Sequence, residues 1–376
     1  MRTLAVRCAT LLLKLFYHLC ALFPTRNRWV LISRQSDQAP LDFRLIASWC
    51  NRQQPPIQAV ILAKQLHSPL AYLPEMVRQV FFIATSKAVI LDSYCIVVSL
   101  LGNTIKAPVV QIWHALGNMK KFGFTALDSE EGRNPNTARL MHMHEGYDAI
   151  AVSSLSFRDD FAAGFDADPH LLFEAPLPRA DLLREQGSRD ANRTTLLQAY
   201  PQLKGKQTIV YCPTFRKTAA PNTEEAMAAL INVVDFSRYN LIYKPHPVST
   251  QTIDDPRVLT LAGVLPDPLF AADYVISDYS TVIYEAGLLD VPVYLYAYDW
   301  DTYSQKRGMN IDLEHDVPTL FTDDAKAIMQ AIEHHDFNHA AYRAFMQNNV
   351  ALPQNGTCTE NLCEHILGMP DYPIAS

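Results

Sequence analysis

Two doubly wound α/β domains facing each other across a cleft are what this chain predicts, and three observations carry the expectation. Short apolar runs alternate with helical segments, they do so in two series, and one polar stretch divides the series. The length of 376 residues also exceeds one ordinary core, at roughly 100 to 200 residues per domain. The first series of strand candidates is 29–32, 59–62, 80–83, 88–91, 109–113 and 149–152; the second is 209–212, 241–243, 274–276 and 293–296. Alternation of this kind implies parallel sheets covered on both faces, with ligand at the carboxyl ends of the strands. The dividing stretch, 181–206, is polar and carries Gly187, Ser188 and Asn192, which puts the hinge there and the boundary near Arg193.

Composition narrows the class. Hydrophobic residues make up 49% and charged residues 19%, a globular balance with ample core material. The formal net charge of -7 argues against a nucleic-acid partner, which needs a basic face. Seven cysteines, odd in number and mostly in apolar surroundings, read as buried thiols of a reducing compartment. Cys358 and Cys363 lack zinc-site spacing, so no metal residues are assigned.

The N-terminus breaks the pattern. Residues 4–23 are strongly apolar, yet Arg7, Thr10, Lys14 and His18 recur at three- and four-residue spacing as a narrow polar stripe on a helix. A helix of that kind, over residues 1–24, lies in a membrane surface with its basic stripe toward anionic head groups. Lys14 near the middle disfavours spanning. A core helix and a signal peptide are the competing readings, the latter weakened by the interrupted apolar run and the lack of a small-residue cleavage site before Pro24.

The chemistry-bearing residues sit just after strands. Around residue 274 an apolar run ends in Ser277, Asp278, Tyr279, Ser280 and Thr281, after which Val282, Ile283, Ala286 and Leu289 recur at helical spacing. A strand feeding a helix through hydroxyls suits a phosphate, since free N–H groups and the helix dipole favour anions; the bland alternative is that Ser280 or Thr281 only caps the helix. His114 follows 109–113 and precedes Lys120 and Lys121, a base candidate beside two cations, unless it is a satisfied core histidine. Thr214 and Arg216 close another strand, where the guanidinium suits a bidentate phosphate clamp or simple solvation. Lys244 and His246 end a third, and the prolines on either side of His246, Pro245 and Pro247, fix its direction. A polar loop holding Asp299, Asp301, Arg307 and Asp312 follows the last strand.

In order, QIWHALGNMKKFG (111–123), PLPRADLL (176–183), YCPTFR (211–216), YKPHP (243–247), SDYSTVIYEAGLLDVPVYLYAYD (277–299) and RGMNIDL (307–313) resemble the CDP-glycerol:poly(glycerophosphate) glycerophosphotransferases of teichoic acid synthesis over roughly residues 28–345. The resemblance implies a GT-B fold, with a Rossmann-like acceptor domain at 25–192 and a Rossmann-like CDP-donor domain at 193–376. It also implies a peripheral place on the cytoplasmic face of the cell membrane. The donor it implies is CDP-glycerol or another CDP-polyol, and the acceptor a lipid-linked glycan or polyol phosphate. Length looks more like the primases than the long polymerases.

Roles follow by matching positions. His114 matches the family's probable base on the acceptor hydroxyl and His246 the histidine at the donor diphosphate. Arg216, Ser280 and Thr281 match donor-phosphate positions, and Glu285 and Asp278 lie where the ribose or the turn itself is held; Thr214, Lys244, Ser277 and Arg307 complete the expected binding set. Ala115 replaces a customary glycine, 116–119 lacks a customary proline, and Asn310 stands where an aromatic is frequent. No cofactor is assigned; a divalent metal would be compatible, though no acidic pair is clearly placed for one. A GT-B glycosyltransferase using a nucleotide sugar is the alternative activity, and a non-catalytic membrane scaffold the alternative class.

Overall fold

The structure, a computed structural model, describes residues 2–129, 132–216, 223–246, 249, 252–370 and 372; Pro247 of the YKPHP run lies outside them. The first sheet holds β1 (Arg28–Ser33), β2 (Gln58–Ala63), β3 (Ala88–Leu91), β4 (Val109–Gln111), β5 (Ala149–Val152) and β6 (Leu172–Glu174), in the order β2-β1-β3-β4-β5-β6. The second holds β7 (Gln207–Cys212), β8 (Tyr239–Tyr243), β9 (Val258–Thr260), β10 (Tyr274–Ser277), β11 (Val293–Tyr296) and β12 (Phe321–Thr322), in the order β12-β11-β10-β7-β8-β9. Every pairing is parallel, which explains why β1, β3, β4, β5, β10 and β11 are buried along their whole length rather than alternating. In each sheet the chain starts inside, winds one way and then crosses back, so the order reverses between β1 and β3 and between β7 and β10. A doubly wound sheet opens its ligand crevice at that reversal.

The run 80–83 is not a strand. It forms the last turn of the Pro69–Ala84 helix, where Val80 and Ile83 face the core. A four-residue apolar run does not distinguish a strand from a buried helical turn.

The chain divides into two compact units, and the division is not the one expected. One unit takes in the chain up to Gly117, Lys121–Asp181 and everything from Val350; the other takes in Asn118–Lys120 and Leu182–Asn349. The boundary thus falls at Asp181 rather than Arg193, and the last segment belongs with the first sheet. Asp181 explains it: its carboxylate accepts from the amides of Cys358 (2.7 Å) and Thr359 (3.0 Å) and from the Thr359 hydroxyl (2.7 Å), satisfying donors at the start of the Cys358–Leu367 helix. Farther along, Phe173 of β6 stacks on His365 with ring centres 3.7 Å apart, and Trp29 of β1 donates to the Tyr372 hydroxyl (3.0 Å).

The N-terminal helix spans Arg2–Cys20, with Tyr17 and Cys20 buried and the Tyr17 hydroxyl accepting from the Lys106 amide (3.1 Å). It packs against the Pro69–Ala84 helix. Of the thirteen large apolar side chains left exposed among the described residues, ten lie on the first 23 residues or on that second helix. All seven cysteines are free thiols, six of them buried and Cys8 exposed.

Candidate active site

In the first unit the reversal point gathers the ends of β1, β3 and β4. Trp113, two residues past β4, holds a left-handed backbone (φ 61°), which a bulky residue adopts only when its surroundings impose it. Its amide donates to the Gln111 side chain (2.9 Å), whose own amide donates to the Ser93 carbonyl (3.3 Å). The Trp113 ring packs against the His114 imidazole with centres 4.2 Å apart. His114 Nδ1 lies 2.9 Å from the main-chain carbonyl of Asp92. A carbonyl only accepts, so Nδ1 carries a proton, and in the neutral ring the lone pair then lies on Nε2, the tautomer a base requires. The Asp92 carboxyl is buried, and burial pushes its pKa up to about 7 against the lowering effect of Ser33 and Ser93. Arg179 of the PLPRADLL run donates from its amide (2.8 Å) and Nε (2.9 Å) to buried Asp42, which makes it a structural clamp in this unit.

In the second unit the reversal between β7 and β10 is occupied by Arg216. Its Nε and Nη2 form a fork on Asp299 (both 2.7 Å), while Nη1 reaches Asp278 (2.9 Å) and the Thr214 carbonyl (2.7 Å). Tyr279, Tyr298 and Tyr303 surround the guanidinium at 5.0 to 5.6 Å. Burial works against this charge, but the two carboxylates outweigh it and hold Arg216 firmly protonated. Asp278 is fully buried and spends both oxygens on the turn, accepting from the amides of Thr214 (2.9 and 3.1 Å) and Tyr279 (2.6 Å). The sequence left Arg216 between a phosphate clamp and simple solvation; in the structure it ties three strand-end loops together. Arg216→Ala should cost about 3 to 5 kcal/mol, because it strands two buried carboxylates, and Arg216→Lys should recover only part, since an ammonium cannot reproduce the fork. Urea unfolding measures this; an unchanged midpoint in the alanine variant would free Arg216 for a ligand.

The remaining residues collect nearby. Lys244, just past β8, pairs with Asp267 (3.1 Å); burial opposes its charge, and Asp267, Cys212 and Glu285 overcome that opposition, so it stays cationic. His246 exposes its ring, packed 5.8 Å from the Phe215 ring; lost solvation and then the charges of Lys120 and Lys244 lower its pKa, leaving it neutral near pH 7. Ser277 donates its hydroxyl to the Cys212 carbonyl (2.9 Å) and is buried, so it ties β10 to β7. Ser280 and Thr281 stand half-buried before the Val282–Leu288 helix; the Thr281 side chain makes no cap bond, which speaks against pure capping, while Ser280 Oγ accepts weakly from Val282 (3.4 Å). Glu285 lies in that helix's first turn. Arg307 ends the Trp300–Lys306 helix, its amide donating to the Tyr303 carbonyl (2.9 Å).

Lys120 is the cation the sequence undervalued. It stands 5.2 Å over the Tyr303 ring, 3.4 Å from the Thr214 hydroxyl, and it bears on His246. Asn310 holds it there, donating from its amide to Met119 (2.9 Å) and from its side chain to Lys120 (3.3 Å), which gives the unusual asparagine a purpose. Asp267 and Asp92 were unassigned, and Asp299 was noted only within the polar loop after the last strand; being placed just beyond strands or in turns was their only signal. Among the described residues no group of three or more His, Cys, Asp or Glu side chains is arranged to hold a metal ion.

Two parallel doubly wound sheets with polar residues at both reversal points define a GT-B type transferase. The family of CDP-Glycerol:Poly(glycerophosphate) glycerophosphotransferases matches residues 15–368, and the chain belongs to it. It is 27% identical over 363 residues to the teichoic acid ribitol-phosphate primase of Bacillus spizizenii, covering 93% of each chain. To the teichoic acid glycerol-phosphate primase of Bacillus subtilis it is 27% identical over 304 residues, 77% of each. Its fold is similar to that of the wall teichoic acid polymerase TagF, with a TM-score of 0.73 at 14% identity over 97% of each chain.

Proposed function

We propose that this enzyme transfers glycerol phosphate, or a related polyol phosphate, from CDP-glycerol to a hydroxyl of a membrane lipid-linked acceptor in teichoic-acid-like polymer synthesis, releasing CMP. Family membership across nearly the whole chain supports the reaction class, and near-complete overlap with a primase favours a primase-like role. The observation that supports the chemistry is the contact of His114 Nδ1 with a carbonyl, which in the neutral ring puts the lone pair on Nε2. The acceptor oxygen attacks the β-phosphorus as His114 Nε2 takes its proton. The β-phosphorus to bridging-oxygen bond breaks, and CMP leaves with the electron pair. His246, Lys244 and Lys120 spread the diphosphate charge, Ser280 and Thr281 offer hydroxyls to its oxygens, and Glu285 and Arg307 line the donor side. A turnover panel of CDP-glycerol, CDP-ribitol and UDP-sugars tests this. Release of CMP from a CDP-polyol is the expected result; turnover of UDP-sugars alone would establish the glycosyltransferase instead.

We also infer peripheral attachment to the cytoplasmic face of the membrane through the Arg2–Cys20 helix. No helix among the described residues is long and apolar enough to cross a membrane, and the exposed leucines need a cover other than water. Deleting residues 1–24 should leave turnover on a soluble acceptor analogue and abolish it on lipid-linked acceptor in vesicles. Equal vesicle activity of both forms would sink the attachment.

A further inference from the structure

The exposed apolar surface is shared by two helices. Leu11 (70% exposed) and Leu12 (66%) stand on Arg2–Cys20, and Leu70 (79%) and Leu73 (51%) on Pro69–Ala84, which packs beside it. At the margin of the first helix opens a cavity of about 400 Å³ lined by Val6, Arg7, Thr10, Arg139, Leu140 and His142. The polar stripe borders this cavity: its first two members, Arg7 and Thr10, line it, and the Pro135–Leu140 helix brings Arg139 from the other side. His142 Nδ1 lies 2.9 Å from the Glu145 carboxylate, whereas Arg7 and Arg139 are exposed and have no ion-pair partner among the described residues. Two guanidinium groups and a hydroxyl lining one concave space match a phosphate in charge and in the kind of donor it takes. A cationic cavity bordering an apolar ridge matches a bilayer surface, where phosphates lie just above the acyl chains.

We propose that the cavity between the Arg2–Cys20 and Pro135–Leu140 helices seats the phosphodiester of an anionic phospholipid, while the leucines of Arg2–Cys20 and Pro69–Ala84 enter the acyl boundary together. The proposal rests on the membrane attachment inferred above, and adds a specific head-group site and a second inserting helix to it. Attraction to an anionic leaflet is worth about 1 kcal/mol per basic residue, roughly a fivefold change in partitioning.

Flotation of the full chain with vesicles of phosphatidylcholine alone, and of phosphatidylcholine mixed with phosphatidylglycerol, tests it. Wild type should partition into both and prefer the anionic set. Arg7→Ser and Arg139→Ser should each weaken partitioning into anionic vesicles about fivefold, the double variant losing the preference, with no change on neutral vesicles. Leu70→Glu with Leu73→Glu should weaken both sets. Turnover on a soluble acceptor analogue and the unfolding midpoint should stay at wild type in every variant. If the double arginine variant keeps the anionic preference, the head-group site is overturned while membrane attachment stands. If the leucine pair changes nothing, the second helix does not insert and that part of the proposal falls. Wild type that floats with neither vesicle overturns the attachment itself, and the site with it.

Discussion

His246→Ala should cut polyol phosphate transfer severely and leave the fold intact. The residue is exposed and its ring lies tilted against that of Phe215, so its removal opens no core cavity and the unfolding midpoint should stay near wild type. Turnover should fall by about 10² to 10³, the loss that follows removal of one donor to a developing oxyanion. A pH signature goes with it. Lost solvation and the cations Lys120 and Lys244 hold the free imidazole below its ordinary pKa, whereas a bound diphosphate would raise it. Donor binding should therefore take up a proton, and tighten, as pH falls through the range between the two values. Calorimetry in buffers of different ionisation heat reads the uptake, which the alanine variant should lose. Near-normal turnover would rule out the diphosphate role, and an unfolded variant would mark His246 as structural.

His114→Ala should lower turnover by about 10² to 10⁴ and change CDP-glycerol affinity by less than about twofold. A base on the acceptor hydroxyl acts in the transition state, so its loss appears in kcat rather than in donor binding. His114→Gln, which cannot take up the proton, should be equally slow. If donor affinity collapses while bound donor still reacts at the wild-type rate, His114 belongs to the donor site.

Much of this architecture was legible because parallel strands buried on both faces are written as plain apolar runs. The run 88–91 is β3 and 293–296 is β11, residue for residue. β6, β9 and β12 escaped notice because they are edge or near-terminal strands of three, three and two residues, too short to leave a pattern. The site was legible to the same degree. Placement after a strand singled out His114, His246 and Arg216 as candidates, but the fork Arg216 makes depends on Asp299, 83 positions away, and no local pattern announces such a partner. Asp181 was hidden similarly: its helix start lies 177 residues downstream, which is why a polar stretch passed for the boundary while the true seam fell at its first residue.

That long-range cap has a consequence for how the chain is made. Synthesis proceeds from the N-terminus, and a domain usually begins to fold as soon as its own residues have emerged. Here the unit that emerges first lacks the Cys358–Leu367 helix until the intervening domain has been translated entire. Asp181 and the side chains that helix covers must wait, so the nascent first half is an unfinished body with a raw surface until residues 358–367 have emerged. Cutting the chain at residue 181 leaves neither unit whole: the first lacks the segment from Val350, and the second lacks Asn118–Lys120, to which Asn310 is bonded.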